Sequence, residues 1–357
     1  MAGIVSFCNL ISIAQNPTTG YWAMKGNLHQ HPFIDHADSL SAQQIFELRD
    51  EKGLPLWFCR DIFKNVCLTS ECRMVHLWLF WNSTGDYLGH QIHEKDTITK
   101  TDHTPFISSD YQKLNRILSD PGSILKDLKQ EDLIIKPAPE EKKLDGHSGA
   151  TQPSLKEYLI KDAAYTCYTL WHTVYGNTQK EIKKLLEMRA DSVYLQLLFE
   201  QKSPEQLIWA VDFIRTHPQY HSAFFRQIIK QIGSKNDILS QRALNYLSKE
   251  QLTEHAIQKE LVPIFEEVNY QRKFELLWKL SAAQHTDDDV ILSFLTSFEE
   301  QKINASMLGY VYKLVREENQ KNPLILEKLR TFLKHENLYV RNITKKVLSD
   351  TKNQNLK

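Results

Sequence analysis

Residues 74 to 81 read MVHLWLFW, and NSTG and then DYLG follow. Apolar and aromatic residues flanking a glycine-containing turn predict a β-hairpin. On an extended strand Val75, Leu77, Leu79 and Trp81 share one face, while His76, Trp78 and Phe80 share the other. Aromatic residues on both faces predict a strand that is central or covered by helices. It belongs to a β-rich stretch from about 45 to 89.

The period then changes. SSDYQKLNRILSDPGSILKDL, 108 to 128, has helical spacing, and Pro121 with Gly122 divides it into two short helices. The polar, proline-containing KPAPEEKKLDG reads as a surface loop. Beyond it Ser154 and Glu157 form a capping-box pattern with Pro153 beside them, predicting a helix that runs on to Gly176. After residue 177 segments such as SPEQLIWAVDFIRTH, QRKFELLWKLSA and LILEKLRTFLKH repeat apolar residues every three or four positions. Short polar connections between them predict antiparallel helices stacked in pairs.

KLRTFLKHENLYVRNITKKVL resembles a HEAT-type repeat, with Val340 and Arg341 opening its second helix. The expected architecture is an α+β domain over 16–177 followed by an all-α, HEAT-like helical repeat domain over 178–357.

Composition narrows the class. Hydrophobic residues make up 41% and charged residues 25% of 357, as in ordinary folded proteins of two or three domains. Lys plus Arg equals Asp plus Glu at 44 each, so no overall field recruits nucleic acid or an anionic membrane. Residues 1–15, MAGIVSFCNLISIAQ, are uncharged, mostly apolar and too short to span a bilayer. They resemble the apolar core of an export signal, with Ser12, Ile13 and Ala14 as a small-residue cleavage site and no basic leading segment. The expectation is an exported or periplasmic protein, attached to a membrane at most peripherally. In that compartment Cys67 and Cys72, which bracket CLTSEC, are candidates for a disulfide.

Several chemistries find no support in the motifs. Walker loops, dinucleotide-binding glycine patterns, HExxH, GxSxG and CxxCH are all missing from the sequence. His29, His31 and His36 in NLHQHPFIDH read as surface histidines, and no metal site is expected.

One short motif carries chemistry. DGHSGAT, residues 145 to 151, resembles the flavinylation motif of the FMN-binding domain family, found in flavin subunits of sodium-pumping NADH:quinone reductase, Rnf-type complexes and exported electron carriers. SGAT alone arises by chance in roughly one chain in a hundred of this length, and Asp145 with Gly146 makes the match far rarer. In that family a dedicated flavin transferase moves FMN from FAD onto the last hydroxyl of the motif. The resemblance therefore implies FMN held by a phosphoester on Thr151, with Asp145, Gly146, Ser148, Gly149 and Ala150 shaping the cofactor site.

The residue types suit that chemistry. Gly149 and Ala150 leave the approach to Thr151 open, and Asp145 and Ser148 can hydrogen-bond the local backbone. A helix start just beyond Thr151 would favour the phosphodiester charge. Trp78, Trp81, Tyr87 and Trp171 are the candidates to stack on the ring. The implied function is an electron-carrying flavoprotein between a membrane donor and a redox partner protein, without a small substrate of its own. The alternative is a non-catalytic helical-repeat interaction protein with a degenerate flavin domain.

Overall fold

A computed structural model describes residues 20–36, 38–40, 43–66, 73–133, 153–155 and 157–354. The chain divides into two compact units, one up to Glu200 and one from Gln201.

The first unit is built on a five-stranded antiparallel meander in the order β1 (Asn27–Pro32), β2 (Gln44–Arg49), β3 (Pro55–Lys64), β4 (Val75–Asn82) and β5 (Tyr87–Ile92). The hairpin predicted from MVHLWLFW is β4–β5. Asn82 closes its turn by accepting from the backbone N–H of Thr84 and of Asp86, and Gly85 takes a φ of 83° that other residues rarely adopt.

The strand register separates two faces. Phe58 pairs with Trp81, Arg60 with Leu79 and Ile62 with Leu77. These side chains are fully buried. Two helices cover them: α2 (Ala164–Val174) and α3 (Asn177–Arg189), which follow α1 (Ser108–Leu118). Trp81 Nε1 donates to Val174 O at 3.0 Å, and Arg60 Nη1 donates to Thr178 Oγ1 at 2.7 Å. Each large apolar side chain buried there stabilises the fold by about 1.5–3 kcal/mol.

Two buried charge networks tie this layer together. Arg60 meets Asp38 at 2.7 Å and Asp35 at 3.3 Å, and the Lys64 ammonium meets the same Asp35 oxygen at 2.9 Å. Glu47 on β2 receives Arg189, Arg49 and His31. Through Arg189 the end of α3 therefore belongs with the sheet, and α4 (Ser192–Gln201) closes the unit.

The helix expected to begin at Ser154 starts later. Pro153–Leu155 form a single 3-10 turn, and α2 begins only at Ala164. Asp162 interrupts the path with a φ of 58°. Its carbonyl oxygen accepts from Thr101 N at 2.8 Å and Thr101 Oγ1 at 3.1 Å, so a loop contact replaces the helical bond.

The second unit is helical: α5 (Pro204–Thr216), α6 (His221–Lys230), α7 (Asp237–Tyr246), α8 (His255–Glu267), α9 (Tyr270–Leu280), α10 (Asp288–Glu299), α11 (Ala305–Val311), α12 (Pro323–Phe332) and α13 (Leu338–Gln354). One set of helices starts at residues 204, 237, 270, 305 and 338, and the other at 221, 255, 288 and 323. A helical pair thus recurs every 33 to 35 residues. Alternate helices touch, α5 with α7, α8 with α10, α10 with α12, α9 with α11 and α11 with α13. Asn236, Asn269 and Asn304 occupy equivalent N-cap positions, each accepting from the N–H three residues on. Among the described residues no helix is long and apolar enough to cross a membrane.

Candidate functional site

The face of the sheet turned away from α2 and α3 is aromatic. It carries Phe46, Leu48, Trp57, Cys59 and Phe80 as a buried cluster, with Tyr21, Trp22 and Trp78 packed partly exposed against it. The 3-10 turn Tyr21–Ala23 lies on this face. Trp22 meets Trp57, Trp78 and Phe80 edge-on, with ring centroids 5.3, 5.1 and 5.6 Å apart. Such pairs add roughly 0.5–1.5 kcal/mol each beyond burial. Trp57 Nε1 donates to Tyr21 O at 3.1 Å, and the Tyr21 hydroxyl donates to Leu88 O at 3.0 Å. Gly89 permits this close approach, since a Cβ there would stand 1.9 Å from the Tyr21 hydroxyl oxygen.

Beside Tyr21 a shallow cleft of about 530 Å³ opens toward α1, lined by Tyr21, His90, Ser108, Tyr111, Asn115 and Arg116. Tyr87 bonds two of its lining residues, donating to Asn115 Oδ1 at 3.0 Å, while its oxygen lies 2.9 Å from His90 Nδ1. A phenol has one proton, so His90 Nδ1 is the donor in the second contact. Burial lowers the His90 pKa to about 4, which keeps the imidazole neutral near pH 7. Burial also raises the Tyr87 hydroxyl.

The cleft is lined by two aromatic rings, Tyr21 and Tyr111, and by the polar side chains of Ser108, Asn115 and Arg116.

On the other side of Trp78 five polar residues converge. Asp61 Oδ1 lies 2.9 Å from His93 Nε2 and 3.3 Å from His76 Nε2. His76 Nδ1 lies 3.0 Å from Asp96 Oδ2, and Arg73 holds the other Asp96 oxygen at 3.1 Å. The two imidazoles stack at 3.8 Å, and His93 is 5.4 Å from the Trp78 ring. Asp61, His76 and His93 offer ligand atoms that lie within 4.8 Å of one another. No spacing in the sequence announces this cluster. Its members come from β3, from β4 and from just beyond β5, and only the antiparallel register brings them together.

The residues singled out by the motif, Asp145, Gly146, Ser148, Gly149, Ala150 and Thr151, lie outside the described residues, as do Cys67 and Cys72. The described chain on either side is anchored to the first unit. Leu133 is buried, and Gln130 Nε2 donates to Val66 O at 3.3 Å just past the end of β3. On the far side Leu159 and Ile160 are buried.

Of the four stacking candidates, Trp81 and Trp171 are core residues, the latter donating to Asp120 O at 2.9 Å. Tyr87 is committed to His90 and Asn115, and Trp78 is partly buried among Trp22, Phe46 and His93. His31, read as a surface histidine, instead bonds the buried Glu47 at 2.8 Å. Cys59 and Cys167 are buried free thiols, and burial raises both pKa values, Cys167 to about 12. Neither has the thiolate character of a reactive cysteine.

Compared with known proteins, the chain matches no family model, no curated protein and no solved structure.

Proposed function

We propose that this chain is an electron-carrying flavoprotein that bears FMN on Thr151. The observation that carries the reading is DGHSGAT at 145–151, a rare arrangement that ends on a hydroxyl preceded by two small residues, Gly149 and Ala150. An α+β unit in which a sheet precedes the motif and a helix follows it is compatible with the FMN-binding domain family. The cleft beside Tyr21, with the Tyr21 and Tyr111 rings in its lining, supports the reading as a surface for a flat ring.

The attachment balances as a transfer. The Thr151 oxygen forms a bond to the FMN phosphorus of FAD, the pyrophosphate bond breaks, AMP leaves, and the hydroxyl proton passes to a base of the flavin transferase. The chain gains FMN less one water. Bound flavin supplies the one- and two-electron chemistry. The protein's part is to keep the Thr151 hydroxyl reachable through Gly149 and Ala150, to present neutral His90 and cationic Arg116 at the cleft, and to hold the ring at high effective concentration. A tether of this kind suits an exported or periplasmic carrier, where a dissociable cofactor is lost to dilution.

The helical unit is read as a repeat array that docks the redox partner. Its period of 33 to 35 residues is shorter than the roughly 40–47 of HEAT-type repeats. The likeness to them rests on the last two helices. The same regular pairing favours a second reading, a non-catalytic interaction protein whose array does the binding.

Coexpression with a flavin transferase in a compartment that both proteins share separates the two. The carrier gives a fluorescent band at the chain's mass after denaturing electrophoresis, and the interaction protein gives none.

A further inference from the structure

We propose that Asp61, His76 and His93 form a binding site for a divalent first-row transition ion of the zinc class. The site lies on the aromatic sheet face and stands independently of the flavin.

The first argument is the direction of the electron pairs. Asp96 faces His76 Nδ1 at 3.0 Å and, as an acceptor, fixes the ring proton there. The Nε2 lone pair then points toward Asp61, 3.3 Å away, and this buried nitrogen has no aligned hydrogen-bond partner. His93 Nε2 approaches the same carboxylate oxygen at 2.9 Å. The His76 lone pair thus faces the Asp61 carboxylate with no proton between them, while His93 donates a hydrogen bond whose proton a bound metal ion would displace.

Charge points the same way. Asp61 and Asp96 bring two negative charges, and Arg73 returns one positive charge. The fixed charges of the cluster therefore sum to one negative charge, which favours a bound cation.

Geometry and ligand type narrow the ion. Ligands about 2.0–2.1 Å from a tetrahedral metal lie about 3.3 Å apart, close to the separations observed from Asp61 Oδ1. Two imidazole nitrogens and one carboxylate suit zinc or ferrous iron, and are poor in the oxygens that calcium and magnesium require. Asp96 behind His76 is the outer carboxylate that typically orients a metal-binding imidazole. Three protein ligands leave a position open, and side chains about a quarter exposed let water or an oxygen ligand reach it.

A second cluster, His255, Asp287 and Asp289 in the helical unit, provides the control. There Lys259 already meets Asp289 at 3.1 Å, and His285 meets Asp287 at 2.9 Å.

The test uses the full chain without a histidine tag, stripped with chelator and titrated with Zn²⁺ by calorimetry. Metal content is then measured after gel filtration. The wild type should retain one equivalent, and Co²⁺ in its place should give the visible absorption of a low-coordinate nitrogen–oxygen site. Asp61→Asn and His93→Gln should each weaken zinc at least a hundredfold. Asp96→Asn, acting through His76, should weaken it about 10–100-fold. His255→Ala with Asp289→Asn should change nothing, and Thr151→Ala should leave zinc bound.

A wild type that retains no zinc overturns the proposal, as does a His93→Gln chain that binds with unchanged affinity. Should Asp61→Asn fail to fold by circular dichroism, His93→Gln and the cobalt spectrum decide. Loss of the cobalt bands in folded His93→Gln supports the site, and their persistence rejects it.

Discussion

Glu47 and Arg189 form a two-pronged ion pair, with guanidinium nitrogens 2.6 and 3.0 Å from the two carboxylate oxygens, between residues 142 positions apart. The carboxylate is fully buried and the arginine is 22% exposed, so the pair fastens the end of α3 to β2 inside the protein. Removing one partner of such a pair leaves an uncompensated charge. Arg189→Ala should therefore destabilise the first unit by about 3 kcal/mol, the low end of the usual range because Arg49 and His31 remain. Urea unfolding monitored by tryptophan fluorescence measures it. Arg189→Met combined with Glu47→Leu should recover much of the loss.

The same carboxylate makes stability depend on pH. Burial raises the Glu47 pKa, but hydrogen bonds from Arg189, Arg49 and His31 outweigh burial and hold it at about 2 instead of 4.5. As pH falls, the unfolded chain takes up this proton before the native protein does. The contribution is therefore complete above about pH 4.5 and is lost as pH drops through about 2. Its size is on the order of 3 kcal/mol. Urea midpoints at pH 6 and pH 3 should show a smaller decline in Glu47→Gln than in the wild type, and equal declines would refute the assignment.

Gly89 should not tolerate a side chain while Tyr21 stays in place. Gly89→Ala drives a methyl group into the Tyr21 hydroxyl and should cost about 1–3 kcal/mol, with a change in near-UV circular dichroism as the Tyr21–Trp22 turn shifts. On a Tyr21→Ala background the same substitution should cost much less, and this double-mutant cycle is the direct check.

The β4–β5 hairpin was legible because alternation and an NSTG turn act locally, and the helices after residue 204 were legible from their apolar spacing. β1 was not. NLHQHP is mostly polar because it is an edge strand with little burial, so it lacks the alternation that marks a half-buried strand. The late start of α2 depends on Thr101 capturing the Asp162 carbonyl from 61 residues away, a contact that local propensity does not contain. The aspartate–histidine cluster was hidden for the same reason. Asp61, His76 and His93 meet only after β3 and β4 choose their register, in which Asp61 pairs with Trp78 and Phe63 with His76.

The helical array offers a regular set of capping residues. Asn304 Oδ1 accepts from Met307 N at 3.0 Å at the start of α11, as Asn269 does for Arg272 N at 2.9 Å in α9. Asn304→Ala should cost about 0.5–2 kcal/mol, and Asn304→Gly only a few tenths. Chemical denaturation of the full chain, followed by a probe in the helical unit, distinguishes the two.

The claim on which the functional account depends is the ester at Thr151, and intact-protein mass spectrometry tests it most directly. Material coexpressed with a flavin transferase should gain the mass of one FMN less one water, with peptide mapping placing the gain on Thr151. Thr151→Ala should gain nothing. An unmodified wild-type mass under conditions in which the transferase loads a known acceptor contradicts the flavoprotein reading, as does a gain that survives in Thr151→Ala.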